Sequence, residues 1–356
     1  MTQNNTVTNL IRPEIQALTA YHVPDSGNTI KLDAMENPYE WDIDMVATWL
    51  TVIATIPLNR YPDPAARELK TQLRAVMQIP ETMDIILGNG SDELIQMLAL
   101  ALNVKGRTLL APEPSFVMYR LIAQVVGMEY KAVPLLEGDF SLDLPAMLAE
   151  IKKTQPALIF LAYPNNPTGN AFATEDIEAI IEASQGLVVI DEAYEPFADN
   201  TFMSRLGEYP NLLVMRTVSK LGLAGLRLGL LAGPKQWLEQ IEKTRLPYNI
   251  NVLSQVSCKF ALEHYEVLEK QTQQIRTDRA FLLDSLRAIS GIEAWASEAN
   301  FILFRIANAK TVFQNLKEKG ILIKNLAGSH PLLENCLRVT VGTPYENEAF
   351  LKALKD

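Results

Sequence analysis

Strand-like and amphipathic segments alternate through the middle of the chain. Seven segments have the length and composition of strands, and they are 84–87, 108–111, 129–134, 157–163, 187–190, 212–215 and 227–232. Between them, apolar positions recur at helical spacing, most clearly at 92–102, 144–153 and 174–184. This alternation predicts an α/β fold with a mostly parallel, seven-stranded sheet that is covered by helices on both faces.

The pattern changes towards the two ends of the chain. One long helix is predicted from 252 towards 289, and a further helix is predicted at 311–319. The short strands predicted in these outer segments are 30–32, 292–295, 301–305 and 337–341. We therefore expect a large domain of residues 38–250 and a smaller α+β domain formed by residues 1–37 and 251–356.

Composition argues against several classes of protein. The 356 residues are 48% apolar and carry a net charge of -10, so a large core is expected, whereas binding to nucleic acid or to an anionic membrane is not. We find neither a signal sequence nor an apolar stretch of about 18 residues, and expect no membrane span. With only two cysteines and three histidines, we expect no disulfide framework and no metal site, and we expect a cytoplasmic location.

Three of the predicted strands end in turns that carry chemically useful side chains. Asn166, the pair Asp191 and Tyr194, and Lys220 each lie shortly past the end of one strand. The carboxyl ends of parallel strands lie at one edge of a sheet, where such folds bind their ligands. We therefore expect an amide, an acid, a phenol and a lysine around one pocket.

A lysine beside a buried strand has two interpretations. Ser219-Lys220 alone is more typical of a lysine whose charged end reaches solvent. The acid, amide and phenol favour the other interpretation, which is an amine with a lowered pKa that attacks a carbonyl group and forms a Schiff base.

The segment 88–94 combines glycines, a serine and the start of a helix. Gly90 and Ser91 at a helix N-terminus are typical of a phosphate site, and an ordinary turn in which Ser91 caps the helix is the alternative. A dinucleotide-binding loop is not expected, because Glu93 stands where the third glycine of that motif would be. Tyr119, after the next strand, is either a core residue or an aromatic that stacks on a planar ligand.

Taken together, the motifs resemble those of a known family. Similar motifs occur, in this order and at these separations, in the fold-type I aminotransferases, which depend on pyridoxal phosphate: Tyr163-Pro-Asn-Asn-Pro-Thr-Gly169, Asp191-Glu-Ala-Tyr194, and Ser219-Lys220 with Leu223-Ala-Gly-Leu-Arg227. Other segments resemble the histidinol-phosphate branch of that family: Leu32-Asp-Ala-Met-Glu-Asn-Pro38, Asn59-Arg-Tyr-Pro62, Gly88-Asn-Gly-Ser-Asp-Glu93 and Cys336-Leu-Arg-Val-Thr-Val-Gly-Thr343. The resemblance implies a homodimer with shared active sites. It also implies amino transfer between L-histidinol phosphate and 2-oxoglutarate in histidine biosynthesis.

The resemblance assigns roles to individual residues. Lys220 would hold pyridoxal phosphate and move a proton, and Asp191 would pair with the protonated ring nitrogen. Asn166 and Tyr194 would hydrogen-bond the phenolic oxygen of the ring. The other residues implied in cofactor binding are Gly90, Ser91, Asp92, Tyr119, Ser219, Arg227 and, from the second subunit, Tyr61. Only six residues separate Lys220 from Arg227, where many relatives have seven, so this loop must take a tighter path.

Substrate binding is implied for Tyr21, Asn37, Lys324 and Arg338. Arg338 lies in an otherwise apolar strand, so it needs an anionic partner. A structural carboxylate, Glu298 or Glu334, is one alternative. The resemblance implies another, which is the acid group of the substrate: the α-carboxylate of glutamate or the phosphate of histidinol phosphate. Lys324 would add a second positive charge for the phosphate.

Other functions remain open from the sequence. The same family includes aminotransferases for aromatic amino acids and decarboxylases of phosphorylated amino acids. A ligand-binding module without catalysis is a third alternative, but such a module would not need both Lys220 and Asp191.

Overall fold

The computed structural model describes residues 9–20, 25 and 27–356. The role predicted for Tyr21 therefore concerns a position outside the described residues. The strands are β1 Ile30–Lys31, β2 Met83–Gly88, β3 Thr108–Glu113, β4 Glu129–Pro134, β5 Leu158–Ala162, β6 Leu187–Asp191, β7 Leu212–Thr217, β8 Gly229–Pro234, β9 Ile292–Ala294, β10 Phe301–Ile306, β11 Ile321–Leu322, β12 Lys324–Asn325 and β13 Cys336–Thr340. The helices are α1 Pro13–Gln16, α2 Ile43–Ile53, α3 Arg67–Val76, α4 Ser91–Leu102, α5 Met118–Val126, α6 Leu144–Thr154, α7 Thr174–Ala183, α8 Lys235–Ile241, α9 Val252–Glu263, α10 Tyr265–Arg287, α11 Ala309–Glu318 and α12 Pro344–Lys355.

The central sheet has seven strands in the order β2-β8-β7-β6-β5-β3-β4. All neighbouring pairs are parallel except those that involve β8, which runs antiparallel to both β2 and β7. Every residue of β5, β6 and β7 is buried, as expected for strands that are covered on both faces. The predicted mostly parallel, seven-stranded sheet is confirmed.

The outer segments form two smaller sheets. One is antiparallel with the order β12-β13-β10-β9, and the other pairs β1 in parallel with β11. The β1–β11 pair joins a segment near the start of the chain to one near its end. The predicted α+β character of these segments is confirmed, and the residues at which the domains divide stay a prediction.

The single long helix predicted from 252 towards 289 is wrong. Helix α9 ends at Glu263, and His264 has φ -114° and ψ 37°, outside the helical region. Beyond this break, the second helix, α10, runs from the core beneath the central sheet, which it joins at Leu268, to the core of the small antiparallel sheet, which it joins at Leu282.

The strand predicted at 227–232 begins two residues later, at Gly229. Arg227 has a left-handed backbone conformation with φ 51°, which no strand residue adopts. None of the helices in the described ranges combines the length and the apolar composition needed to cross a bilayer.

Candidate active site

A cavity of about 420 Å³ lies where β5, β6 and β7 end. Eight of the predicted residues line it, and they are Ser91, Asp92, Asn166, Asp191, Tyr194, Ser219, Lys220 and Arg227. Because the three strands are adjacent and parallel, the turns after them meet at one edge of the sheet. A larger cleft of about 680 Å³ contains none of the predicted residues.

Asp191 is a buried carboxylate, with 4% of its surface exposed, that forms part of the cavity wall. Its oxygens accept hydrogen bonds from two neutral donors, the hydroxyl of Tyr119 at 2.7 Å and the backbone N–H of Ala193 at 3.2 Å. Burial raises its pKa to about 6, and the nearby charges of Asp92 and Glu192 act in the same direction. A ligand that brought a positive charge to this wall would favour the ionised form.

Tyr119 does not line the cavity. It is fully buried, its ring stacks on Phe160 with centroids 4.6 Å apart, and its hydroxyl holds Asp191. Tyr119 lies on the face of α5 that packs against the sheet, so the structure favours the core residue among the two interpretations of Tyr119. Phe116, in the turn before α5, lines the cavity instead. The sequence offered one signal for Phe116, since it comes after β3 as the other cavity residues come after their strands.

Lys220 lies in a single 3₁₀ turn after β7. Its Nζ is 5.6 Å from the centre of the Tyr194 ring. Burial lowers the pKa of Lys220 to about 8, and the positive charge of Arg338 adds to this effect. More of the amine is therefore neutral near pH 8 than for an ordinary lysine, and the neutral form is the one that a nucleophile requires. The geometry favours the reactive interpretation of Lys220 over that of a surface lysine.

A chain of hydrogen bonds joins the central sheet to the small sheet. The Asn166 amide donates to the Tyr194 hydroxyl at 2.9 Å, and Arg338 Nη1 donates to the Asn166 oxygen at 2.5 Å. Arg338 is 6% exposed, and its guanidinium lies 5.0 Å from the centre of the Phe301 ring. Lys324 pairs directly with Arg338 across β12 and β13, so the two side chains leave the same face of the sheet.

An anion cradle is formed at the start of α4. Ser91 is the first helical residue rather than the cap, because Gly90 holds the cap position with φ +83° and no side chain caps the helix. The first backbone N–H groups are thus available to an anion. Arg227 Nη2 lies 3.6 Å from the Asp92 carboxylate, and a Cβ at Gly90 would be only 2.6 Å from the same nitrogen. Ser219 accepts a hydrogen bond from Thr217 at 2.9 Å.

Five further predicted residues of the described ranges do not line the cavity, and they are Gly90, Lys324 and Arg338, described above, with Asn37 and Tyr61. Asn37 donates hydrogen bonds to Gln271 at 3.0 Å and to the carbonyl of Leu221 at 3.3 Å. It therefore holds the loop after Lys220, and its role in binding substrate stays a prediction. Tyr61 is 80% exposed and stacks on Tyr248, with ring centroids 4.4 Å apart.

The model of the aminotransferase class I and II family matches residues 28–354. The chain belongs to the class I and II aminotransferases. A histidinol-phosphate aminotransferase 2 of Nitrosococcus oceani is 58% identical over 97% of this chain and 96% of that protein. One of Cupriavidus pinatubonensis is 52% identical over 97% and 95%. Among solved structures, the histidinol-phosphate aminotransferase of Sinorhizobium meliloti in complex with pyridoxal-5'-phosphate has a TM-score of 0.85 at 23% identity, covering 97% and 96%.

This aminotransferase family depends on pyridoxal phosphate, so the cofactor predicted from the sequence is confirmed. Two observations show that the cavity of this aminotransferase fits the cofactor. Asp191 is a buried carboxylate whose hydrogen-bond donors are neutral, as a protonated ring nitrogen requires. The uncapped start of α4 beside Arg227, where a Cβ at Gly90 would intrude, fits a phosphate group.

We predict that Gly90→Ala weakens binding of pyridoxal phosphate about tenfold or more. The added Cβ would displace the Arg227 guanidinium, and the positive φ would strain the backbone by roughly 1–3 kcal/mol. The dissociation constant of the cofactor, measured by fluorescence titration, checks this. Gly106→Ala is the matched control, because Gly106 has φ +80° and no atom within 4 Å of the added Cβ. Equal cofactor affinities in the two variants would contradict the cradle.

Proposed function

We propose that this aminotransferase transfers an amino group between L-histidinol phosphate and 2-oxoglutarate, giving imidazole acetol phosphate and L-glutamate, in histidine biosynthesis. The observation that carries the proposal is the pair of cations at Arg338 and Lys324, which lie opposite each other on β13 and β12. The names of relatives at 58% and 52% identity support the same substrate. A phosphate monoester carries up to two negative charges, which two adjacent cations can balance.

The cofactor site divides into three parts. Gly90, Ser91, Asp92, Ser219 and Arg227 hold the phosphate, with Asp92 contributing its backbone N–H and Arg227 its charge. Asp191 keeps the ring nitrogen protonated. Asn166 and Tyr194 donate hydrogen bonds to the phenolic oxygen and so fix the tilt of the ring. When bound, pyridoxal phosphate supplies a carbonyl group that receives the amino group and a ring that withdraws electrons.

Lys220 performs the proton transfer. Its neutral Nζ would accept the proton from the α-carbon of the amino donor and, as the resulting ammonium, would pass a proton to the carbon that the cofactor's carbonyl group supplies, so that Lys220 is neutral again at the end of each half-reaction. The lowered pKa of Lys220 supports this role, because burial and the charge of Arg338 favour the neutral amine. A binding module without catalysis would not require a lysine in this state.

Arg338 receives the acid group of each substrate in turn. Its planar guanidinium suits both the α-carboxylate of glutamate and the phosphate of histidinol phosphate. The hydrogen bond from Arg338 to Asn166 links this receptor to the ring contacts. Lys324 acts mainly on the phosphate, since a single carboxylate needs only one cation. Aromatic amino acids lack the phosphate, so this pair favours histidinol phosphate over them.

We also propose a homodimer in which Tyr61 of one subunit reaches the cofactor phosphate of the other. The exposure of Tyr61 supports this, as does the exposure of three further large apolar side chains, Leu58, Leu246 and Tyr248. A monomer seldom exposes a contiguous group of large apolar side chains without a partner, and Tyr61 and Tyr248 are in direct contact. For the location we propose the cytoplasm, which is supported by two buried cysteines that are unpaired.

We predict that Lys324→Ala raises the KM for histidinol phosphate about tenfold more than the KM for glutamate. A charge-assisted hydrogen bond contributes roughly 1.5–3 kcal/mol, and only the phosphate uses Lys324. Arg338→Ala should impair both half-reactions. Steady-state kinetics with each donor check the prediction, and Lys317→Ala, at an exposed lysine of α11, is the control. Equal losses for the two donors in Lys324→Ala would refute its role, and wild-type protein that does not turn over histidinol phosphate would refute the proposed function.

We predict that Tyr61→Phe weakens cofactor binding. Pairing this variant with a Lys220→Ala chain in one dimer should restore cofactor binding at one of the two sites. In a mixed dimer, the site that contains Lys220 from the Tyr61→Phe chain receives Tyr61 from its partner. One site in each mixed dimer should therefore recover wild-type cofactor affinity and turnover. Refolding the two variants together, followed by titration with the cofactor, measures this recovery. Mixed protein no better than Tyr61→Phe alone would contradict shared sites.

A further inference from the structure

Glu36 is an ionisable residue of the cavity wall to which the proposed function assigns no role. The cofactor and the proton transfer account for Asp92, Asp191, Tyr194, Lys220 and Arg227, which are the other ionisable side chains along the described cavity. The sequence resemblance pointed to the neighbouring Asn37. The structure places Glu36, not Asn37, on the cavity wall.

The backbone around Glu36 is held in a strained conformation. Met35 has φ 54°, a region that side chains other than glycine rarely adopt. Two hydrogen bonds hold it there: its N–H donates to the Thr340 hydroxyl at 3.0 Å, and its carbonyl accepts from the Asn300 amide at 2.9 Å. Strain of this kind persists only where the surroundings fix it, and it is concentrated at functional sites. The backbone position from which the Glu36 side chain extends is therefore fixed beside the cavity.

The same sheet fixes the distance between Glu36 and the receptor for the acid group. Thr340, which holds Met35, and Arg338 both belong to β13. Arg338 Nη2 also donates a hydrogen bond to the carbonyl of Asp33 at 3.0 Å. A ligand whose acid group binds Arg338 would thus present its other end to the part of the cavity wall around Glu36, which is hydrogen-bonded to the same strand.

The charge of Glu36 acts within the cavity. Its carboxylate accepts a hydrogen bond from Lys31 Nζ at 2.5 Å, and 51% of its side-chain surface is exposed. Its negative charge also opposes the lowering of the pKa of Lys220, so it is felt at the reactive amine. Because Lys31 offsets part of this charge, glutamate, which has two carboxylates, can use the same cavity.

We propose that Glu36 accepts a hydrogen bond from the imidazole N–H of histidinol phosphate and thereby determines the specificity of this aminotransferase. This inference rests on the proposed function. A phenyl ring has no donor, so it would remove water from the carboxylate without replacing the lost hydrogen bond. Glu36 thus selects against aromatic substrates, while Arg338 and Lys324 select for the phosphate.

Two inert probes separate the imidazole contact from the phosphate contact. They are 3-(imidazol-4-yl)propyl phosphate and 3-phenylpropyl phosphate, which have no amino group and cannot react. Each probe is measured as an inhibitor of turnover with glutamate as the donor. We expect Glu36→Ala to raise the inhibition constant of the imidazole probe about five- to tenfold more than that of the phenyl probe. The expected factor is moderate because a half-exposed charged acceptor contributes less to binding than a buried one. Glu36→Gln, which keeps a neutral acceptor oxygen, should restore part of the difference.

Glu40→Ala is the matched control, because Glu40 is an exposed carboxylate four residues away that does not line the cavity. This variant should leave the ratio of the two inhibition constants at the wild-type value. If Glu36→Ala changes both constants by the same factor, the inference is overturned, whatever the substrate. If wild-type protein fails to turn over histidinol phosphate while the ratio responds to Glu36→Ala, only the proposed function is overturned.

Discussion

The arrangement of the active site depends on one buried negative charge. A carboxylate that is removed from water and has only neutral hydrogen-bond donors is unfavourable when ionised. Asp191 is in this position because β6 is buried along its whole length and delivers it to the cavity wall, where Tyr119 and Ala193 hold its two oxygens. In the proposed function, the protonated ring nitrogen of the cofactor compensates that charge.

The topology of the sheet brings the other groups to the same edge. Asn166 and Lys220 come from the turns after β5 and β7, which flank β6 on either side. Strand β8 is antiparallel, so it starts at the edge where the parallel strands end, and the loop from β7 to β8 stays there. The pairing of Gly88 with Gly229 then brings the start of α4 against this loop, where a Cβ at Gly229 would come within 2.8 Å of the Ser91 nitrogen. The close approach of α4 to this loop, and with it the proposed phosphate site, thus depends on glycine at both paired positions, Gly88 and Gly229.

Strand periodicity alone was enough to predict the centre of the site. Polar residues that come just after apolar runs lie at the carboxyl edge of a parallel sheet, and this pattern identified Asn166, Asp191 and Lys220. The pattern did not decide which face of its helix Tyr119 occupies, or whether Glu36 or Asn37 lies on the cavity wall next to the left-handed residue Met35. Such conformations depend on contacts that are distant in sequence, here with Thr340 and Asn300, and local patterns do not encode them.

The most direct test of the role of Asp191 is the number of protons released when pyridoxamine phosphate binds. This form of the cofactor has no carbonyl group, so it binds without reacting with Lys220. In the free protein the pKa of Asp191 is raised to about 6 by burial, so at pH 5.5 most molecules carry the proton. Pairing with the ring nitrogen favours the ionised form, and the proton is released. Calorimetry in buffers of different ionisation enthalpy measures the number of protons released on binding. Wild-type protein should release most of one proton more than the Asp191→Asn variant, which retains any proton release that is due to the cofactor phosphate. Equal proton release by the two proteins would contradict the account.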